Sequence, residues 1–264
     1  MRVAAGASER AFLGVSALVF AVGAAVTIAW SLSMSAMGGM PMPGGWTMSM
    51  TWMPNCGQGW PCAAASFLAM WVAMMAAMML PSLLPMLRRY RWAVGRMGEG
   101  RLGYLTVLAG LGYLFVWTMI GMVVFALGVE LAAAEMQQPA LARAVPTAVG
   151  LVVLVAGALQ FTRWKAHRLA CCREAPEPGR SLPADAATAW RQGLRLGLDC
   201  VRCCGNLTAI LLAVGVMDLR AMTVVAAAIT AERLAPAGER AARAVGAVAV
   251  AAGLILIAQA AGLG

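Results

Sequence analysis

Long apolar runs, each able to cross a lipid bilayer, recur along this chain, and that feature decides its fold class. Residues 11–32, 63–87, 103–129, 144–162, 194–216 and 241–263 are such runs. About 20 residues at 1.5 Å per residue cover a hydrocarbon core of ~30 Å. Backbone buried in hydrocarbon must satisfy its own N–H and C=O groups, and a helix does so within one segment. The expectation is an all-α, polytopic helical membrane protein forming one integral membrane domain over residues 1–264. A shorter run at 219–229, with Asp218 and Arg220 at one end and Glu232 and Arg233 at the other, brings the count to about seven transmembrane helices. Five or six remain open if 194–216 and 219–229 are half-helices. Pro81 and Pro85 should kink or break the end of the second span, since each removes a backbone donor.

Composition agrees. Only 12% of residues are charged and mean hydropathy is +0.79, against about 25% charged in soluble domains. The net charge of +9 is then loop charge facing anionic lipid. Nucleic acid is not an expected partner, because no basic run is interleaved with aromatic residues. Arg88, Arg89, Arg91, Arg96 and Arg101 fall on one side with Arg163, Lys165, Arg168 and Arg173, and with Arg233, Arg240 and Arg243. The intervening loops hold only Arg143 and Arg220. The positive-inside rule then puts the N-terminus in the cytoplasm, makes 33–62 an extracytoplasmic loop, and makes 163–191 a cytoplasmic loop. Residues 11–32 are long for the apolar core of a signal peptide and read as the first span.

Sulfur is the anomaly: 20 Met and 7 Cys. Cys200, Cys203 and Cys204 are three and four residues apart, so on a helix their thiols share one face. Thiolates and thioethers select Cu(I), Zn and similar soft ions, and a cytoplasmic location keeps thiols reduced. Arg195 and Arg202 would favour the thiolate form, and Asp199 would oppose them. Cys171 and Cys172, with His167 four residues before Cys171, could complete that site from the preceding loop. The 33–62 loop carries Met34, Met37, Met40, Met42, Met48, Met50 and Met53 among Gly and Pro, without charge. A thioether does not form disulfides, so it can hold Cu(I) in an oxidising compartment. Cys56 and Cys62 in the same loop read as a disulfide that closes it. Along the second span Met70, Met74 and Met78 form one stripe and Met75 and Met79 another beside it. These could link outer thioethers to inner thiols, or could be a flexible packing seam. His167, Asp199 and Glu232 are candidate supporting residues.

The second span, Met70-Trp71-x-x-Met74-Met75-Ala76-Ala77-Met78-Met79-x-Pro81-Ser82, resembles the signature of a bacterial family of predicted metal-binding integral membrane proteins without an assigned reaction. Gln160, Lys165, Cys172, Arg173 and Pro176 fit the same pattern. So do Gly193, Gly197, Cys200, Cys203, Cys204, the Gly215-Val216-Met217 run and Glu232. Arg168 stands where the family carries a further cysteine, and Arg233 where it usually carries lysine. The resemblance covers residues 70–232 and implies a metal and a bacterial inner membrane location. It does not extend to the Met-rich loop.

Together these readings point to a membrane protein that captures, transports or delivers a soft metal, copper(I) above others. A metallochaperone or metalloenzyme partner, or a second copy of the chain, would fit such a role. Two alternatives stay open: a transmembrane thiol–disulfide relay pairing Cys56 and Cys62 with Cys200 and Cys203, and a non-catalytic scaffold of a membrane metalloenzyme. One histidine in a basic loop gives no Ser/His/Asp arrangement, and no phosphate-binding Gly-rich loop is present, so enzymatic chemistry is not expected.

Overall fold

The computed structural model describes residues 2–36, 38–53, 59–95, 98–173 and 183–262, with side chains for all of these except 2–7, 99 and 173. Eight helices occur in it: α1 (Arg2–Ala36), α2 (Trp60–Val94), α3 (Glu99–Gln137), α4 (Pro139–Leu159), α5 (Arg163–Arg173), α6 (Ala186–Val214), α7 (Leu219–Leu234) and α8 (Gly238–Ala260). A two-stranded antiparallel hairpin, β1 (Gly39–Met42) and β2 (Trp46–Ser49), and a 3-10 turn at Met50–Trp52 lie between α1 and α2. The chain is thus a helical membrane protein.

Six helices, α1, α2, α3, α4, α6 and α8, are long and apolar enough to cross a membrane. The expected seventh span is α7, whose 16 residues cover only about 24 Å. It packs on α2, α6 and α8, and neighbouring helices shelter its charged last turn.

The structure adds local detail to these expectations and removes one, a break at the prolines of α2. Helix α2 runs through Pro81 and Pro85 to Val94 without a break. Each proline strips the donor only from the carbonyl four residues earlier, those of Ala77 and Pro81, and the other helical bonds carry the segment on. Within the 33–62 loop, α1 continues to Ala36, the hairpin follows, and α2 begins at Trp60. Its turn needs Gly44 and Gly45, at φ 105° and 78°, a left-handed conformation that favours glycine. Trp46 then donates from Nε1 to the Ala142 carbonyl at 2.8 Å and pins the hairpin to the start of α4. The 163–191 loop holds a helix, α5, and the first turn of α6, where the Asp185 carboxylate accepts from the Thr188 N–H at 2.8 Å.

Helix α2 packs on α1, α3 and α7. Trp71 donates from Nε1 to the Trp117 carbonyl at 2.8 Å, joining α2 to α3. Helices α3 and α6 approach so closely that a Cβ on Gly193 would land on the Ala109 carbonyl. Close approach through small residues is how helices associate where lipid removes the hydrophobic drive. It sets α6 against the core with one face only.

Candidate metal centre

That face carries the thiols. Gly193, Gly197, Cys200, Cys204, Leu207 and Leu211 repeat at three- and four-residue spacing, and all are buried. Arg195 and Arg202 point away into the exposed face, and Arg202 pairs with Asp199 at 3.5 Å. Cys200, Cys203 and Cys204 are 0–1% exposed and lie in the middle of α6, not at its mouth.

Two sulfurs flank Cys200. Its Sγ lies 4.0 Å from Cys204 Sγ and 3.9 Å from Met79 Sδ. Sulfurs at about 2.3 Å from one trigonal ion sit about 4.0 Å apart, so this spacing suits a shared soft ion. Cys203 interacts with Cys204 on one side and with Cys172 on the other. Cys172 also donates from Sγ to the Asp199 carbonyl at 3.4 Å. Its hydrogen bond to Cys203, together with burial, pushes the Cys172 thiol well above its ordinary value. Among the described residues no cage of three or more His, Cys, Asp or Glu side chains is present. The donor set is mixed thiol and thioether, which suits Cu(I) better than Zn, Mg or Ca.

Polar residues surround this sulfur in an ordered shell. Tyr113 donates from its hydroxyl to Cys200 Sγ at 3.1 Å. Arg233 donates from one terminal nitrogen to Cys200 Sγ at 3.2 Å and to Ser82 Oγ at 3.0 Å, and from the other to Met86 Sδ at 3.3 Å. Arg233 is buried, and no carboxylate is bonded to it among the described residues. Its neighbour Glu232 pairs with Lys165 at 2.7 Å, both side chains 1% exposed. Gln160 donates to the other Glu232 oxygen at 2.7 Å, and Lys165 also donates to the Cys203 carbonyl at 2.6 Å. This network ties the ends of α4 and α5 and the last turn of α7 to the cysteine turn of α6. Beside it a cavity of about 220 Å³ is lined by Ser82, Pro85, Met86, Arg89, Cys172, Arg233 and Leu234.

The other candidate residues separate into groups. On α5, Cys172 faces the thiols while Cys171 and His167 lie on the exposed side, 3.6 Å apart. The Asp199 carboxylate turns outward, and Glu232 holds Lys165 without reaching the sulfurs. Met70, Met74 and Met78 are buried along α2 with Met75 and Met79, but the thioether at Cys200 is Met79, from the second stripe. Met42 and Met48 pack with Ala132 and Ala142 in a small core under the hairpin, and Met40 is exposed. Met34, Met50 and Met53 share a cavity with Met70 and Met217. Met37 and Cys56 fall outside the described residues, so the Cys56–Cys62 pairing is not described; Cys62 is exposed.

Sequence reasoning missed Arg233 and Tyr113 as contacts of Cys200, and left open which Met stripe of α2 would meet it. Arg233 is more than thirty residues from the cysteines in sequence, and only its position next to Glu232 in the signature marked it.

These features define a polytopic helical membrane protein whose buried centre is made of thiols and thioethers under a guanidinium. The chain belongs to the PpoB2 family, described as copper chaperone, whose profile matches residues 68–256. That match links the chain to copper. It takes in every residue of the sulfur centre and leaves out α1 and the Met-rich hairpin. No curated protein and no solved structure matches the chain.

Proposed function

We propose that the protein is a membrane copper chaperone that holds Cu(I) as cargo between Cys200, Cys204 and Met79, with Cys203 and Cys172 as the sulfurs to which it passes. The observation that carries this reading is the buried sulfur trio beneath Arg233. A Cu(I) ion with two thiolates bears one negative charge, and Arg233 at 3.2 Å supplies the opposite one. Buried charge is tolerated only when so compensated.

Burial also favours holding over redox exchange. A thiol–disulfide relay needs a thiolate to reach the sulfur it attacks, and the three α6 thiols are closed off. The cavity beside Cys172 and Arg233 gives cargo or a partner an approach to the last sulfur. The basic residues support a bacterial inner membrane topology with this end in the cytoplasm. Arg88 pairs with Glu9, Arg91 donates to Ser8 and Arg101 donates to the Ala184 carbonyl, which gathers the N-terminus, both ends of the α2–α3 turn and the start of α6 on one side.

Competition between purified protein and a chromophoric Cu(I) chelator under anaerobic conditions tests the reading. The parent should take up Cu(I), Cys200→Ser/Cys204→Ser should bind at least about a hundredfold more weakly, and Arg233→Met about ten- to a hundredfold more weakly, from a charged hydrogen bond worth about 1.5–3 kcal/mol. A folded Cys200→Ser/Cys204→Ser protein with unchanged affinity would overturn it.

A further inference from the structure

The far end of α2 carries a second convergence of sulfur, and we propose that Met34, Met50, Met53, Met70 and Met217 form an all-thioether site for Cu(I) or Ag(I), distinct from the thiol centre and loading it. The inference rests on the copper reading and adds a capture site to it. The five residues come from four separate places: the last turn of α1, the 3-10 turn with its cap, α2, and the turn between α6 and α7. They line a cavity of about 30 Å³ together with Trp30, Thr51, Ala63, Ser66 and Phe67. Half of that lining is Met, in a chain where Met is 20 of 264 residues, so general Met richness does not account for it. A space of at least ~10–15 Å³ holds a water-sized occupant, so an ion fits.

The chemistry of the lining selects the occupant. It contains no carboxylate, imidazole or thiol, so Mg, Ca and Zn lack their ligands there. Thioethers bind soft ions without losing a proton, and the indole of Trp30 and the ring of Phe67 favour a monovalent cation over an anion. The site also opens onto a path. From Met70 the thioethers of Met74, Met75, Met78 and Met79 follow at one-turn intervals, all buried. Nine residues of helix carry this series about 14 Å, and it ends with Met79 Sδ 3.9 Å from Cys200 Sγ.

Silver(I), which does not change oxidation state, is the probe. Titration calorimetry of the full chain in detergent should resolve one Ag(I) equivalent whose affinity is independent of pH between about 6 and 8, because thioethers, unlike thiols, release no proton on binding, beside the pH-dependent equivalents taken up by the thiols. Cys200→Ser/Cys204→Ser should lose a pH-dependent equivalent and keep the pH-independent one. Met34→Leu/Met50→Leu/Met53→Leu/Met217→Leu should lose only the pH-independent one. Should the fourfold variant fail to fold, Met53→Leu and Met217→Leu alone should each weaken the pH-independent equivalent at least about tenfold, the size of effect seen when a partner of a metal ligand is lost. Loss of the pH-independent equivalent in the cysteine variant, or no change in any leucine variant, overturns the proposal. Loss of one equivalent in the leucine variants with none lost in the cysteine variant would sink the thiol centre and leave this site standing.

Discussion

Replacing Lys165 by Met isolates a buried carboxylate, and the outcome can be worked from the contacts. Glu232 then keeps only the Gln160 hydrogen bond, and the Cys203 carbonyl loses its donor. The stranded carboxylate escapes by taking up a proton. For an ordinary glutamate near pKa 4.3 that costs about 3.7 kcal/mol at pH 7 and about 1 kcal/mol at pH 5, at 1.36 kcal/mol for each pH unit. Adding about 1 kcal/mol for the carbonyl left unsatisfied gives about 5 kcal/mol at pH 7, near the upper end of the 3–5 kcal/mol usual for a broken buried pair. At about 2–4 °C for each kcal/mol in a chain of this size, the apparent Tm should fall by roughly 10–20 °C at pH 7. The gap to the parent should shrink by about half at pH 5. Lys165→Met/Glu232→Gln, which strands no charge, should recover most of the loss at pH 7. Thermal unfolding in dodecyl maltoside at the two pH values measures all three quantities. A single variant within 2 °C of the parent at pH 7 (about 1 kcal/mol or less), or a loss that does not diminish in acid, would refute the reasoning.

Two further outcomes follow from packing and topology. Gly193→Ala drives a methyl into the Ala109 carbonyl and should cost about 1–3 kcal/mol, the usual range for overpacking, while Gly110→Ala, with open space around it, should be silent; unfolding by heat separates them. A membrane-impermeant maleimide applied to reduced spheroplasts should label Cys62 directly and Cys171 only after permeabilisation, because both are exposed and the proposed topology puts them on opposite faces. Labelling of both from one side would overturn that topology.

The thiol stripe was legible because its information is local. Cys200 and Cys204 are one turn apart, and any helix there must place them together. The Met stripes of α2 were legible for the same reason, but which stripe meets the thiols depends on how α2 is rotated against α6. That rotation is set by Trp71 on the Trp117 carbonyl and by the α3–α6 contact at Gly193, neither visible as a pattern. Arginine assignment failed similarly. Arg195 and Arg202 are close to the cysteines in sequence but lie on the opposite face of the helix, whereas Arg233 arrives from α7. The adjacent pair on α5 was divided by helical geometry, Cys172 turning in and Cys171 out.

By itself the sequence determined the class: recurrent apolar runs of this length call for bilayer helices, which satisfy the backbone within one segment, and the sulfur-rich pattern pointed to soft-metal chemistry while leaving packing and redox roles open. It also determined which residues share a helix face, since 3.6 residues per turn is a property of the backbone alone. Tertiary structure decided which faces meet. It brought Arg233 and Met79 to Cys200, paired Lys165 with Glu232, and gathered Met217 with Met34, Met50, Met53 and Met70. In each case the partners are distant in sequence, and helix periodicity alone does not choose among the many possible helix contacts; close approach at Gly193 and the buried Lys165–Glu232 pair are two of the contacts that do.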